Sequence, residues 1–229
     1  MKDPASWEIY LVTDRAFSKG RITLEIVEAA VAGGVSAVQL REKYLETREF
    51  YEEGLRIRDF LRSSRVPLII NDRVDVALAL DADGVHLGQS DMPVNIARRI
   101  LGPDRVIGLS VEKLADINDG AVAHANYLGI SPVFLTSTKP ELDTSWGLEG
   151  IRVARSLTDL PLVAIGSIKQ ENAAAVIRAG ADCVAVVTAI VSADDPSVAT
   201  RLLLGEVRAG KRDRCQATRA TSAEGRLAR

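Results

Sequence analysis

Cysteine is scarce in this chain, with Cys183 and Cys215 the only two. Neither belongs to a Cys-x-x-Cys pair, and His86 and His124 are the only histidines, which argues against a zinc site of thiolate and imidazole ligands. A reduced, cytoplasmic setting is the default expectation for so little cysteine. Basic excess is lacking as well: 29 Lys and Arg against 31 Asp and Glu leave a net charge of −2. General binding to nucleic acid or to a membrane surface needs cations to neutralise phosphates, and the balance speaks against both. No apolar run approaches the ~18–20 residues that cross a bilayer. The opening segment Met1-Lys2-Asp3-Pro4-Ala5-Ser6-Trp7-Glu8 has no apolar core of the kind a secretory signal carries.

What is there is enough for a sizeable core, since 47% of the 229 residues are hydrophobic and 26% are charged. Short β-branched runs alternate with longer helical patterns from Glu8 to about Arg208. The strand candidates are Ile9–Thr13, Ala37–Leu40, Leu68–Ile70, Gly84–Leu87, Val106–Leu109, Tyr127–Ile130, Leu162–Ile165 and Cys183–Val187. They are almost continuously apolar, as parallel strands covered on both faces must be. Between them, Thr23–Ala32, Thr47–Leu61, Val94–Leu101, Leu148–Leu157 and Asn172–Ala179 read as amphipathic helices, several closed by glycines (Gly33-Gly34, Gly102, Gly180). Eight strand-then-helix units in roughly 200 residues predict an α/β chain folded as a single (β/α)8 barrel over residues 1–208. An open doubly wound sheet competes, but no Gly-x-Gly-x-x-Gly follows the first strand. From 209 to 229 the chain turns basic and aperiodic, and this segment is expected to be a disordered or frayed tail.

In such barrels the active site lies at the carboxyl ends of the strands. Strand two ends in Gln39-Leu40-Arg41-Glu42-Lys43, and alternation directs Gln39, Arg41 and Lys43 to one side. Strand three ends in Asn71-Asp72-Arg73, and strand four in His86-Leu87-Gly88-Gln89-Ser90-Asp91 before Met92-Pro93. Strand five ends in Ser110, strand six runs into Thr136-Ser137-Thr138-Lys139, strand seven ends in Gly166-Ser167 and strand eight in Val187-Thr188. Asp72 and Asp91, on adjacent strands, suit a shared Mg²⁺, an ion usually held by one or two carboxylates together with substrate oxygens and water. Arg41, Lys43 and Lys139 bring positive charge to the same mouth, which with a metal suits a diphosphate. Hydroxyl and backbone donors at Thr136-Ser137-Thr138 are suited to holding phosphate, and backbone N–H groups at Gly166, Ser167, Val187 and Thr188 suit a second phosphate. Each residue has a plainer use. Asp72 could cap a helix beginning near Arg73, and Asp91 one at Pro93. Arg41 could pair with Glu42 or Glu46. His86, inside an apolar strand, reads as a hydrogen-bonded structural histidine rather than a general base. Trp146 could be a lid or a cover for the barrel rim.

The order Gln39-Leu-Arg-Glu-Lys43, Ile70-Asn-Asp72, Gly88-Gln-Ser-Asp-Met-Pro93, Thr136-Ser-Thr-Lys139 and Ala164-Ile-Gly166 strongly resembles the thiamine phosphate synthase family, over about Ile9 to Ala199. The resemblance implies a transferase that couples a hydroxymethylpyrimidine diphosphate to a hydroxyethylthiazole phosphate, releasing diphosphate. It implies that Gln39, Arg41, Lys43, Asn71, Ser110 and Lys139 meet the pyrimidine diphosphate, with Arg41, Lys43, Ser110 and Lys139 the catalytic set. It makes Asp72 and Asp91 the Mg²⁺ ligands. Thr136, Thr138, Gly166, Ser167, Val187 and Thr188 would hold the thiazole phosphate. Three positions depart from the family's usual pattern: Ser167 replaces a second glycine, Thr188 a serine, and Leu135 a proline or alanine. A Cβ at 167 is harmful only if φ there is positive. The rivals are a thiazole tautomerase on the same barrel and a non-catalytic binder of thiamine intermediates. Retention of Arg41, Lys43, Asp72, Asp91, Ser110 and Lys139 together speaks for the synthase. Self-association is an open expectation, since no single apolar helix face announces it.

Overall fold

The computed structural model describes residues 3–135 and 145–227, with side chains through Ala217. Thr136, Thr138 and Lys139 lie outside the described residues. Eight strands close in sequence order into a barrel: β1 (Ile9–Val12), β2 (Ala37–Leu40), β3 (Leu68–Asn71), β4 (Gly84–Leu87), β5 (Val106–Val111), β6 (Tyr127–Ile130), β7 (Leu162–Ile165) and β8 (Cys183–Val186). Every pairing is parallel, and β8 returns to pair with β1 through Tyr10↔Ala185. Helices α1 (Thr23–Gly33), α2 (Thr47–Ser64), α3 (Val74–Ala79), α4 (Val94–Leu101), α5 (Leu114–Ile117), α6 (Gly147–Leu157), α7 (Gln170–Ala179), α8 (Thr188–Val191) and α9 (Pro196–Leu227) follow the strands. Among the described residues no helix is long and apolar enough to cross a membrane.

The strands bury nearly every side chain because they face two cores. The outer core lies between strands and helices and includes Leu11, Leu40, Ile70, Leu87, Leu128 and Val184. The inner core fills the barrel with Trp7, Tyr10, Ile69, Val106, Tyr127, Val163 and Cys183. Trp7 sits edge-on to both Tyr10 and Tyr127, with ring centroids 5.2 and 5.3 Å away, and plugs the amino-terminal end. That end is also stitched by a repeated device. The polar residue just before each even strand accepts a backbone N–H at the start of the preceding odd strand: Ser36 from Ile9, Asp83 from Leu68, Asn126 from Ile107 and Asp182 from Leu162, at 2.8–3.0 Å.

The segment after 208 differs from the expected frayed tail. Helix α9 continues to Leu227 without a break at Arg208. Its charges have work against the barrel: Lys211 donates to the Trp7 carbonyl, and Arg214 to the carbonyls of Ile177 and Ala181 and to the Asp182 carboxylate. Gly210 lets the two helices touch, since a Cβ there would lie 2.7 Å from the Ala174 carbonyl of α7. Basic composition concealed a docked helix because its cations bond to exposed carbonyls at the ends of other elements.

Candidate active site

Parallel strands ending together leave their last inward residues around one opening, and here that opening is a cavity of about 690 Å³ at the carboxyl ends. Gln39, Arg41, Lys43, Asn71, Asp72, Asp91, Ser110, Gly166, Ser167, Val187 and Thr188 all line it, so every described residue given a substrate or metal role from the sequence lies there, while Trp146 and Leu135 do not. Tyr10, His86, Gln89 and Tyr127 line it as well.

The acidic pair comes from β3 and the loop after β4. Asp72 adopts φ 61, a left-handed turn that swings its carboxyl toward Asp91. Burial, together with the hydrogen-bonding and charge of Asp91, pushes the Asp72 carboxyl up to about 6, while Lys43 opposes the shift. Helix capping does not explain either acid. Arg73, not Asp72, is the N-cap of α3, and among the described residues no side chain caps that helix or α4. Asp91 instead accepts the Gly88 N–H at 2.7 Å, folding its own loop back. Two carboxyls held against each other at a polar mouth form a donor set suited to a hard cation. Among the described residues no cluster of three or more His, Cys, Asp or Glu joins them.

The cations are set from β2. Arg41 pairs with Asp14, both side chains largely buried, and its backbone N–H donates to the Thr13 hydroxyl. Its partner is therefore neither Glu42 nor Glu46. The strand-end alternation that aims Arg41 at the cavity carries it toward the loop after β1, the neighbouring strand. Glu42 does not line the cavity; burial pushes its carboxyl up to about 6, and its buried Oε1 has no hydrogen-bond partner among the described residues.

Below this charged rim lies a chain of hydrogen bonds. Gln39 Nε2 meets the Tyr10 hydroxyl at 3.0 Å, Tyr10 meets the Tyr127 hydroxyl at 3.0 Å, and Tyr127 meets His86 Nδ1 at 2.9 Å. His86 Nε2 then meets Ser110 Oγ at 2.8 Å. This agrees with a hydrogen-bonded structural histidine at 86. Sequence reasoning passed over Tyr10 and Tyr127, although each falls on the inward phase of its strand, in step with Val12 and Gly129.

On the far side, β7 and β8 end in Gly166-Ser167 and Val187-Thr188. Gly166 has φ 118 and Ser167 φ 48, so the departure at 167 does fall on a left-handed residue. The Ser167 hydroxyl donates to the Leu135 carbonyl at 2.6 Å, joining two of the three departing positions in one contact. Trp146 packs against the outer core at the start of α6, and its indole N–H has no partner among the described residues.

A family model described as thiamine monophosphate synthase matches residues 9–190. The thiamine-phosphate synthase of Chloroflexus aurantiacus is 51% identical over 197 residues, covering 86% of this chain and 91% of that protein. That of Haloarcula marismortui is 47% identical over 208 residues, covering 90% and 99%. Among solved structures, thiamine phosphate pyrophosphorylase from Pyrococcus furiosus superposes with a TM-score of 0.83 at 38% identity, covering 90% of this chain and 98% of that one. A 3-hexulose-6-phosphate synthase, 16% identical with a TM-score of 0.61, shares the fold alone. Neither the tautomerase nor the silent-binder reading gains support from these relatives.

Proposed function

The chain belongs to the thiamine monophosphate synthase family, and from that membership we propose how its residues divide the work of coupling a hydroxymethylpyrimidine diphosphate to a hydroxyethylthiazole phosphate. It is a transferase of thiamine biosynthesis. The bond between the pyrimidine methylene and the diphosphate oxygen breaks, and diphosphate leaves with the electron pair. The thiazole nitrogen then gives its lone pair to that methylene, forming thiamine phosphate.

Such a substitution needs no nucleophilic side chain; it needs charge on the leaving group to be met as it develops. The observation that carries the reading is the convergence of Asp72, Asp91, Arg41 and Lys43 on one cavity mouth. Arg41 and Lys43 face the departing diphosphate, with Lys139 assigned beside them by its motif. Asp72 and Asp91 would hold Mg²⁺, which when bound would supply charge neutralisation to the diphosphate. Gln39, Asn71 and Ser110 seat the pyrimidine end. The thiazole phosphate takes donors from Gly166, Ser167, Val187 and Thr188, and by motif from Thr136 and Thr138. Free cysteines at Cys183 and Cys215 support a reduced, cytoplasmic setting.

The test is diphosphate release from the two phosphorylated substrates with and without Mg²⁺. Magnesium-dependent diphosphate, matched one-to-one by thiamine phosphate, is expected. Binding of the thiazole phosphate without product would overturn the proposal. Asp91→Ala and Lys139→Ala should each lower turnover about 10²–10³-fold, the scale of losing one preorganised charge contact. Unchanged turnover in both would remove the metal–diphosphate assignment.

A further inference from the structure

The buried links between Gln39 and Ser110 have a direction, and it follows from the Gln39 amide, whose Nε2 faces the Tyr10 hydroxyl. Gln39 is 4% exposed and Ser110 7%, while Tyr10 and Tyr127 are 1% and 0% exposed, so an unplaced proton on either phenol would be costly. The Gln39 Nε2 end can only donate, so Tyr10 receives a proton there. Tyr10 must then pass its own proton to Tyr127, and Tyr127 its own to His86 Nδ1. His86 therefore carries its hydrogen on Nε2 and donates it to Ser110 Oγ. Two outputs remain for the cavity: the Gln39 carbonyl oxygen as an acceptor and the Ser110 hydroxyl as a donor. Turning the Gln39 amide over would reverse every link at once, presenting an N–H group at Gln39 and only lone pairs at Ser110.

We propose that Tyr10, Tyr127 and His86 are positioning residues that lock Gln39 and Ser110 into opposite polarity and so select the tautomeric face of the heterocycle bound between them. The selected ring offers a hydrogen-bond donor toward β2 and an acceptor toward β5, as an aminopyrimidine does and its oxo counterpart does not. This rests on the pyrimidine-binding reading above. The barrel is built around the links. A Cβ on Gly108 would lie 2.1 Å from the Tyr127 ring and 2.5 Å from His86 Nδ1, and one on Gly129 would lie 2.9 Å from His86 Cε1. His86 stacks on Tyr127 at 5.5 Å between centroids. Burial raises both phenols above their ordinary range, which keeps each hydroxyl protonated and able to pass on one hydrogen.

Tyr127→Phe removes one hydroxyl while keeping the ring that fills the core. The first measurement is ¹⁵N NMR of the imidazoles in the substrate-free protein, where only His86 and His124 contribute. Wild type is expected to show His86 with its hydrogen on Nε2 alone, and Tyr127→Phe a mixture of tautomers. A hydrogen on Nδ1 in wild type, or no change in the variant, would overturn the relay without touching the coupling reaction. The second measurement is kcat/KM with the 4-amino and 4-oxo pyrimidine diphosphates. Tyr127→Phe should lose about tenfold of the preference for the amino ring, equivalent to one hydrogen bond's discrimination, with the KM for thiazole phosphate unchanged. Preserved discrimination in a folded Tyr127→Phe would overturn the specificity role. Absence of turnover in wild type would instead count against the proposed reaction and leave the tautomer result standing.

Discussion

Ser167 shows how much one backbone angle decides. At φ 48 its Cβ is crowded, and the left-handed region costs an L-residue roughly 1–2 kcal/mol. Comparing Ser167→Gly with Ser167→Ala isolates that cost, because both lose the bond to Leu135. The glycine variant should be more stable than the alanine by about 1 kcal/mol in denaturant unfolding, and equal stabilities would show no strain there. Glu42 makes a second residue-scale prediction. Its carboxyl is raised in the folded state, so its protonated form favours folding; that contribution is complete at acid pH and lost as pH rises through about 6. Glu42→Gln should therefore raise the melting temperature at pH 8 and leave it unchanged at pH 4. A gain that does not depend on pH would place the effect elsewhere.

At the scale of elements, the stitches beneath the barrel carry a third prediction. Asn126 Oδ1 accepts both the Ile107 N–H and the Arg98 guanidinium, at 2.8 and 2.6 Å. Asn126→Ala leaves a buried N–H unpaired and should cost about 1–3 kcal/mol, read by thermal unfolding, without altering substrate KM. The stitches emerge only once the strands are paired, but most elements follow from features a sequence carries openly. Strands such as Val106–Val111 are apolar on both faces, because one faces the filled barrel and the other the helices. The strand ends were legible for the same reason: polar residues like Asn71-Asp72 have no place in those runs unless the chain has reached the opening. Other features depend on what lies across the barrel. Tyr127 became part of the site only through its register beside Gly108, and Arg41 met Asp14 only because β1 and β2 are neighbours. The four-residue α8 is too short to show a period, and the sign of φ at Ser167 is imposed by the turn around it.

For the whole molecule, α9 is the clasp. It packs on α1 and α7, and its Arg208 pairs with Glu8 next to β1. A chain ending at 208 loses the bonds of Lys211 and Arg214 and should be less stable by about 2–4 kcal/mol, at roughly 1 kcal/mol per hydrogen bond. One ending at 217 keeps them and should unfold like the full chain. Equal losses from both truncations would mean that the far end of α9, not these contacts, holds the clasp.

Closure between β1 and β8 also sets a timetable for synthesis. Ile9–Val12 is made well before β8, for one of its two partners, Cys183–Val186, follows about 170 residues later. At translation rates of about 5–20 residues per second, that apolar strand waits roughly 9 to 35 seconds with one edge unpaired. A nascent chain stalled anywhere before β8 therefore exposes a sticky ribbon, and chaperone demand should fall sharply once β8 emerges.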